Sequence, residues 1–242
     1  KVIQCIKKHC LDKNDPPKKV KEFFLGLTKK LKIYKLDDLI GPWARYNYYQ
    51  KLILGNNIEG NIIIDGRSGC GKSYLAEIIH FNSGRSGKYV EIKKKLDKKT
   101  LLSKFEEAKN GTLFLDEIDE VIPKDLQKEI FSYLPMNSIL TASNRIPWKR
   151  LIKIELIEEF FIIDFFRRIK GLLYEILPLK DKERFEDLKE AIRYFWRKNA
   201  ESVNISDDFV TRLAKKFDWP LDMAQVELVM NDIYSTKISG KI

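Results

Sequence analysis

The sequence predicts an α/β fold: a doubly wound parallel sheet with helices on both faces, beside a small all-α unit. Three observations predict it. Short apolar runs alternate with stretches of helical spacing between Asn61 and Ala142. The first of those runs ends in a glycine-rich turn. Beyond Pro178 the strand pattern stops and only helical patterns remain. Parallel strands need helical crossovers, so this alternation builds an open sheet covered on both sides.

The elements follow in order. Lys1 to about Leu36 reads as a basic helical extension, broken at Pro16 and Pro17. Its second part repeats apolar residues at Val20, Phe23, Phe24, Leu27 and Leu31, with lysines opposite. That face is either a packing face or a surface for nucleic acid or a partner. Asn61–Asp65 is a buried strand leading into the glycine turn, and a helix follows from Lys72 to about Phe81. Strands are expected at Tyr89–Ile92, Thr112–Leu115 and Ser138–Ala142, with helices at Lys99–Lys109 and Pro123–Tyr133 between them. After Pro178 helices are expected over Asp181–Asn199, Ser206–Phe217 and Asp222–Tyr234, with Ser206 as an N-cap. The boundaries predicted are an extension over 1–36, an α/β unit over 37–178 and a helical unit over 179–242.

The bulk properties bound the function. The 242 residues are 44% apolar, enough for one large core with a satellite. No apolar run is long enough to cross a membrane; the most apolar stretch, Phe160–Phe166, is short and broken by Asp164. No secretory signal is visible, and the missing initial Met suggests a piece of a longer protein. Cys5, Cys10 and Cys70 are few and unevenly placed, which suits reduced thiols in a cytoplasmic protein. His9 lies beside two of them, but no fourth metal ligand is near. Net charge is +10, which favours polyanionic partners unless the lysines are simply solvated.

The sharpest signal is Gly66-Arg67-Ser68-Gly69-Cys70-Gly71-Lys72-Ser73. It fits G-x-x-x-x-G-K-[ST] and lies between an apolar strand and a helix, the context that gives the motif meaning. Glycines let backbone N–H groups close around phosphate oxygens, and the helix start adds its positive dipole end. Lys72 can reach the β- and γ-phosphates, and Ser73 can offer its hydroxyl to Mg²⁺. ATP with Mg²⁺ is therefore the expected ligand.

Thr112-Leu113-Phe114-Leu115-Asp116-Glu117 is the partner signal: an apolar strand that delivers two acids at its end. Asp116 is the candidate for the metal, directly or through water. Glu117 is the candidate that polarises an attacking water. Solvated loop acids are the plain alternative. Asp119 and Glu120 read as surface acids. The next strand ends in Thr141-Ala142-Ser143-Asn144, and Asn144 is the candidate to touch the γ-phosphate or the water, against a turn-forming role. His80, on the helix after the loop, reads as a packing residue.

With these residues in place, the chain resembles the AAA+ domain of bacterial enhancer-binding proteins, the sigma-54-type transcription activators. The resemblance runs from about Leu36 to Val229. Asp38-Leu39-Ile40-Gly41 resembles the family's opening motif near the adenine, which implies that Ile40 and Gly41 help bind the cofactor. Ile79-His80, Ser83 and Arg85 repeat its pattern after the phosphate loop, and Phe105-Glu106 through Ile118 is close to its Walker B segment. Asp164, Arg168 and Ile169, then Leu177-Pro178-Leu179, resemble the stretch leading to its lid, and Trp219-Pro220 the start of its second sensor. The resemblance implies a homo-oligomer, ring or filament, with ATP at a subunit interface and Arg168 reaching in from a neighbour.

The departures are informative. The family's long insertion with its sigma-gripping pore loop is missing between Ser73 and Thr112, and a second insertion is trimmed to Pro135-Met136-Asn137. Remodelling of sigma-54 polymerase is therefore not expected. The lysines Lys93, Lys94, Lys95, Lys98 and Lys99 stand where that loop would emerge and are either a phosphate-binding patch or a solvated run. The family's two arginine fingers align with Ile162 and Arg168, with Arg167 adjacent. Its second-sensor arginine aligns with Ala224, and its switch asparagine with Lys93. Three functions compete: an ATPase that drives change in a partner, an ATP-binding oligomerisation switch or scaffold with little hydrolysis, and an ATP-controlled nucleic-acid regulator. Transcription regulation or DNA transactions form the expected setting.

Overall fold

A computed structural model describes residues 39–48, 51–52, 60–134, 139–151, 154–199 and 204–238. The basic extension, with Cys5, His9 and Cys10, lies outside the described residues, as do Asp38 and Pro135–Asn137.

Five strands form one sheet: β1 (Ile62–Asp65), β2 (Tyr89–Ile92), β3 (Thr112–Leu115), β4 (Ile139–Ala142) and β5 (Leu172–Glu175). Their order is β2-β3-β4-β1-β5, and every pairing is parallel. The chain leaving β1 crosses to the far edge and returns strand by strand to β1's side. The loop after β1 therefore lies beside the ends of β4 and β3, the position where open α/β sheets bind ligands. β3 and β4 are buried at every residue, as central strands covered on both faces must be.

Strand alternation divides the core. Ile62, Ile64, Phe114 and Leu140 face one side and pack with Leu75, Ile78 and Ile79 of α2 (Lys72–Asn82). Ile63, Leu113, Leu115 and Ile139 face the other side. There they meet α3 (Lys98–Glu107), α4 (Ile118–Val121), α5 (Lys124–Ile130), α6 (Ile154–Phe160) and α7 (Ile163–Ile169). The apolar stretch at Phe160–Phe166 is the junction of α6 and α7, with Phe161 and Phe165 stacked at 6.0 Å inside this core. A separate core from Leu179 to Met230 joins α8 (Phe185–Asn199), α9 (Asp207–Lys216) and α10 (Asp222–Ile238) around Trp219. α1 (Pro42–Tyr48) packs against α8.

Several details differ from the sequence reading, among them that the helices α1, α6 and α7 were not expected and that α8 starts at Phe185 after a 3₁₀ turn over Lys182–Arg184. α3 starts at Lys98 because the Asp97 side chain accepts the Thr100 N–H at 3.0 Å, and it ends before Asn110, whose φ of 60° turns the chain. The helix expected over Pro123–Tyr133 is α5 followed by a 3₁₀ turn at Phe131–Tyr133. β5 was not expected: Leu-Leu-Tyr-Glu has no alternation of its own and becomes a strand by pairing with β1 along its whole length. Ser206 does cap α9, accepting the Phe209 N–H at 3.2 Å. His80 is buried, with Nδ1 3.0 Å from Thr112 Oγ1, so it ties α2 to the start of β3. No helix among the described residues is long and apolar enough to cross a membrane.

Candidate functional site

The Gly66–Ser73 loop joins β1 to α2. Gly71 caps α2 at φ 93°, and a Cβ there would meet only open space, so conformation rather than crowding requires glycine. Gly69, at φ 79°, is constrained by crowding as well. A Cβ would lie 2.2 Å from Leu221 O, just before α10. The first turn of α2 thus opens toward the loop with its N–H groups and dipole end available to an anion.

Lys72 is the centre of the site. Only 7% exposed, it donates from Nζ to Gly66 O at 3.1 Å, Arg67 O at 3.3 Å and Asn144 Oδ1 at 2.8 Å. The other end of the Asn144 amide donates to Glu117 Oε1 at 2.5 Å, and the Asn144 main-chain N–H donates to Glu117 Oε2 at 2.9 Å. One amide therefore links the lysine of the loop to the acid after β3. Glu117 sits in the left-handed region, φ 51° and ψ 59°, a costly conformation for a side-chain-bearing residue. The two bonds from Asn144 hold its carboxylate while it does so.

Asp116 lies between them. Ser73 Oγ donates to its Oδ2 at 3.5 Å, and its Oδ1 is buried without a hydrogen-bond partner. Burial raises its pKa above the ordinary carboxylate range; Lys72 opposes the shift, and Glu117 and Glu91 add to it. Asp119 is not a surface acid. It is half-buried and accepts the Ser143 hydroxyl at 2.6 Å, so it fixes the exit of β4 one residue before Asn144. Glu120 is exposed and paired with Arg145 at 2.6 Å.

Two cavities flank the loop. One, of about 340 Å³, is lined by Ile40, Trp43, Cys70, Tyr174 and Arg184 among others. Gly41 does not line it. It sits behind the wall at φ 99°, where a Cβ would lie 2.1 Å from Asp187 Oδ1. That carboxylate accepts the N–H groups of Trp43 and Ala44, capping α1. The second cavity, of about 510 Å³, is lined by Asp65, Arg67, Ser68, Asn144, Glu175 and Pro220 among others. Asp65 and Glu175 are register partners at the ends of β1 and β5. Burial, then Glu175, raises the Asp65 pKa, while Lys149 pairs with Glu175 at 2.5 Å.

Arg168 stands apart from this group. Its main-chain carbonyl accepts Asn61 Nδ2 at 2.8 Å, before the start of β1, whereas the phosphate loop leaves the strand's other end. A four-residue strand separates the two by roughly 13 Å, so Arg168 cannot serve its own chain's loop. Arg167 is exposed and paired with Asp164 at 3.3 Å. Ala224 lies against the loop, its N–H donating to Gly69 O at 3.3 Å, and brings no charge. The sequence reading missed Arg184, Asp187 and Tyr174; the i, i+3 spacing of Arg184 and Asp187 was the one available signal. No group of three or more His, Cys, Asp or Glu side chains suited to a metal occurs among the described residues.

Comparison with known proteins agrees with this geometry. The Sigma-54 interaction domain matches residues 51–146. The DNA-binding transcriptional regulator NtrC of Rhizobium meliloti is 26% identical over 218 residues, covering 76% of this chain and 44% of the relative. The transcriptional activator HyfR of Escherichia coli is 27% identical over 212 residues, covering 71% of this chain and 30% of the relative. This chain thus spans less than half of either. Among solved structures, NtrX from Brucella abortus in complex with ATP has a TM-score of 0.63 at 20% identity, over 92% of this chain and 60% of that one. The RuvB Holliday junction branch migration motor of Thermotoga maritima has a TM-score of 0.57 at 18% identity, over 85% of this chain and 66% of that one. Matched family model, relatives and fold all agree with the phosphate loop and its acids, and the chain resembles, as a divergent relative, the AAA+ domain of the sigma-54-type transcription activators.

Proposed function

We propose that this chain binds ATP with Mg²⁺ at the Gly66–Ser73 loop and hydrolyses it at a subunit interface, driving a conformational change in a partner within transcription regulation or a DNA transaction. The observation that carries the reading is the convergence of Lys72, Asp116, Glu117 and Asn144 at the ends of three neighbouring strands. NtrX, which shares the fold, has been solved in complex with ATP and with ADP, and this supports the ligand.

The residues fit Mg²⁺. Asp116 Oδ1 is a buried oxygen without a partner among the described residues, and Ser73 Oγ adjoins the same carboxylate. A hard cation takes few protein oxygens and completes its shell with water and phosphate. When bound, it neutralises phosphate charge. Glu117 accepts the proton of the attacking water. Before a triphosphate arrives, Asn144 holds Glu117 and Lys72 together. A γ-phosphate competes for Lys72 and for the Asn144 amide, and that competition releases Glu117 toward water.

The test is phosphate release by the full chain against Glu117→Gln at saturating MgATP. Turnover should fall about 10²- to 10⁴-fold in the variant while binding persists. Particle mass should rise with a non-hydrolysable ATP analogue if the site lies between subunits. A second reading, an ATP-binding oligomerisation switch with little hydrolysis, is favoured by Ala224 against the loop and by Ile162 at one of the two arginine-finger positions. Background release from both proteins would select it. Nucleic-acid binding rests on the +10 charge and the exposed Lys93–Lys95 run, and a duplex isotherm insensitive to salt removes it.

A further inference from the structure

Arg184 is hard to explain as a structural residue alone. It is 2% exposed, yet it lines the 340 Å³ cavity. Its Nε donates to Asp187 Oδ2 at 2.9 Å and its Nη1 to Leu177 O at 2.7 Å. A guanidinium has five N–H donors, and a buried one normally satisfies them. The Nη2 group has no partner among the described residues, and it is not sealed in the core. The Tyr174 hydroxyl, on the same cavity wall, has no hydrogen-bond partner among them either. Much of the remaining wall is apolar: Leu39, Ile40, Ala44, Leu75 and Ile176. A largely apolar space with buried donors at its wall suits an aromatic ring that carries acceptors on its edge.

We infer that Arg184 reads the nucleobase: its Nη2 donates to a ring nitrogen of the purine, so this one residue sets base affinity and reports base occupancy to the helical unit. The inference rests on the nucleotide reading above and adds to it the residue that senses the base. The same guanidinium holds three structures at once. Asp187 caps α1, which carries Trp43; Leu177 is the link from β5 to the helices; and the Trp43 ring lies 5.0 Å from the guanidinium carbon. A base bonded to Arg184 therefore pulls on α1, the link and α8 together. Ala224 and Leu221, helical-unit residues against the nucleotide loop, have no side-chain group able to do this.

Calorimetry with the full 242-residue chain tests this, using magnesium ATP and magnesium tripolyphosphate, which has no base. Arg184→Lys preserves the charge beside Asp187 and loses the planar fork. It should weaken ATP about tenfold or more while tripolyphosphate affinity changes less than twofold. An equal fall for both ligands, or no fall for ATP, overturns the inference. A second arm starts from the wild-type chain. Of 1-deaza-, 3-deaza- and 7-deaza-ATP, one should bind it about tenfold more weakly than ATP, and that difference should vanish in Arg184→Lys. If all three bind as ATP does, the inference fails while the nucleotide reading stands. If wild-type protein takes up neither ATP nor tripolyphosphate, the nucleotide reading itself has failed.

Discussion

The two sides of the phosphate loop are built from different material. On the sheet side Lys72, Asp116, Glu117 and Asn144 meet in a chain of charged and polar contacts. On the helical side the loop's direct contacts are main chain and a methyl: Gly69 O accepts the Ala224 N–H, and Leu221 O blocks any side chain at Gly69, with the buried charges of Asp222 and Arg184 behind them. The hydrogen-bonded charged groups stand on the sheet side, and the helical unit touches the loop through main chain and a methyl. Charge placed on rigid strand ends stays aligned with a ligand, while a close-fitting junction whose direct contacts carry no ion pair can shift without breaking one.

The largest expected effect comes from Lys72→Ala, which removes the cation on which the sheet side depends. Triphosphate affinity should fall by about 2–5 kcal/mol in a titration with a fluorescent nucleotide. Retained affinity would mean that the charge does not come from the sheet. Next is Ala224→Arg, which places a charge at the direct contact between the helical unit and the loop. The position is exposed, so folding should be unaffected, and turnover of saturating ATP should rise about tenfold if a second cation near the phosphates is what the site lacks. Unchanged turnover would show that the helical side was never meant to contribute charge.

The smallest effect concerns pH. Burial holds the Asp116 pKa above the usual range, so the carboxylate gains a proton at a higher pH than an ordinary Asp as acid is added. Mg²⁺-dependent nucleotide affinity should therefore weaken in mild acid, above about pH 3.9. In the empty protein the sign is opposite. A raised carboxylate pKa means that the native state binds the proton more tightly, so this group's contribution to stability is lost as pH rises through that window. Asp116→Asn should stabilise the empty chain at neutral pH by about 1 kcal/mol in urea melts and abolish the Mg²⁺ dependence. A variant that is no more stable, or that still responds to Mg²⁺, would break the account of Asp116 as a desolvated metal ligand.

The glycine loop, the acids after β3 and Asn144 were legible in the sequence because each is a local feature: a turn that needs positive φ, or a polar residue at the end of an apolar run. The strands β2 and β3 were legible to the residue, since an apolar run between turns needs no partner to be recognised. What local pattern could not give was anything decided by pairing. β5 exists because β1 offers an edge, and Asp119 is tied to Ser143 only because β3 and β4 are neighbours. The bond from Lys72 through Asn144 to Glu117 joins residues up to 72 positions apart. The cavity beside the loop depends on Asp187, Gly41 and Arg184 meeting across 143 residues or more of chain. Sequence alone determined that a phosphate loop and a pair of acids were present, because their chemistry is written in adjacent residues. The tertiary structure decided which acid is clamped, which arginine lines the cavity beside the loop and which lies beyond its reach, because distance and desolvation exist only once the chain has packed.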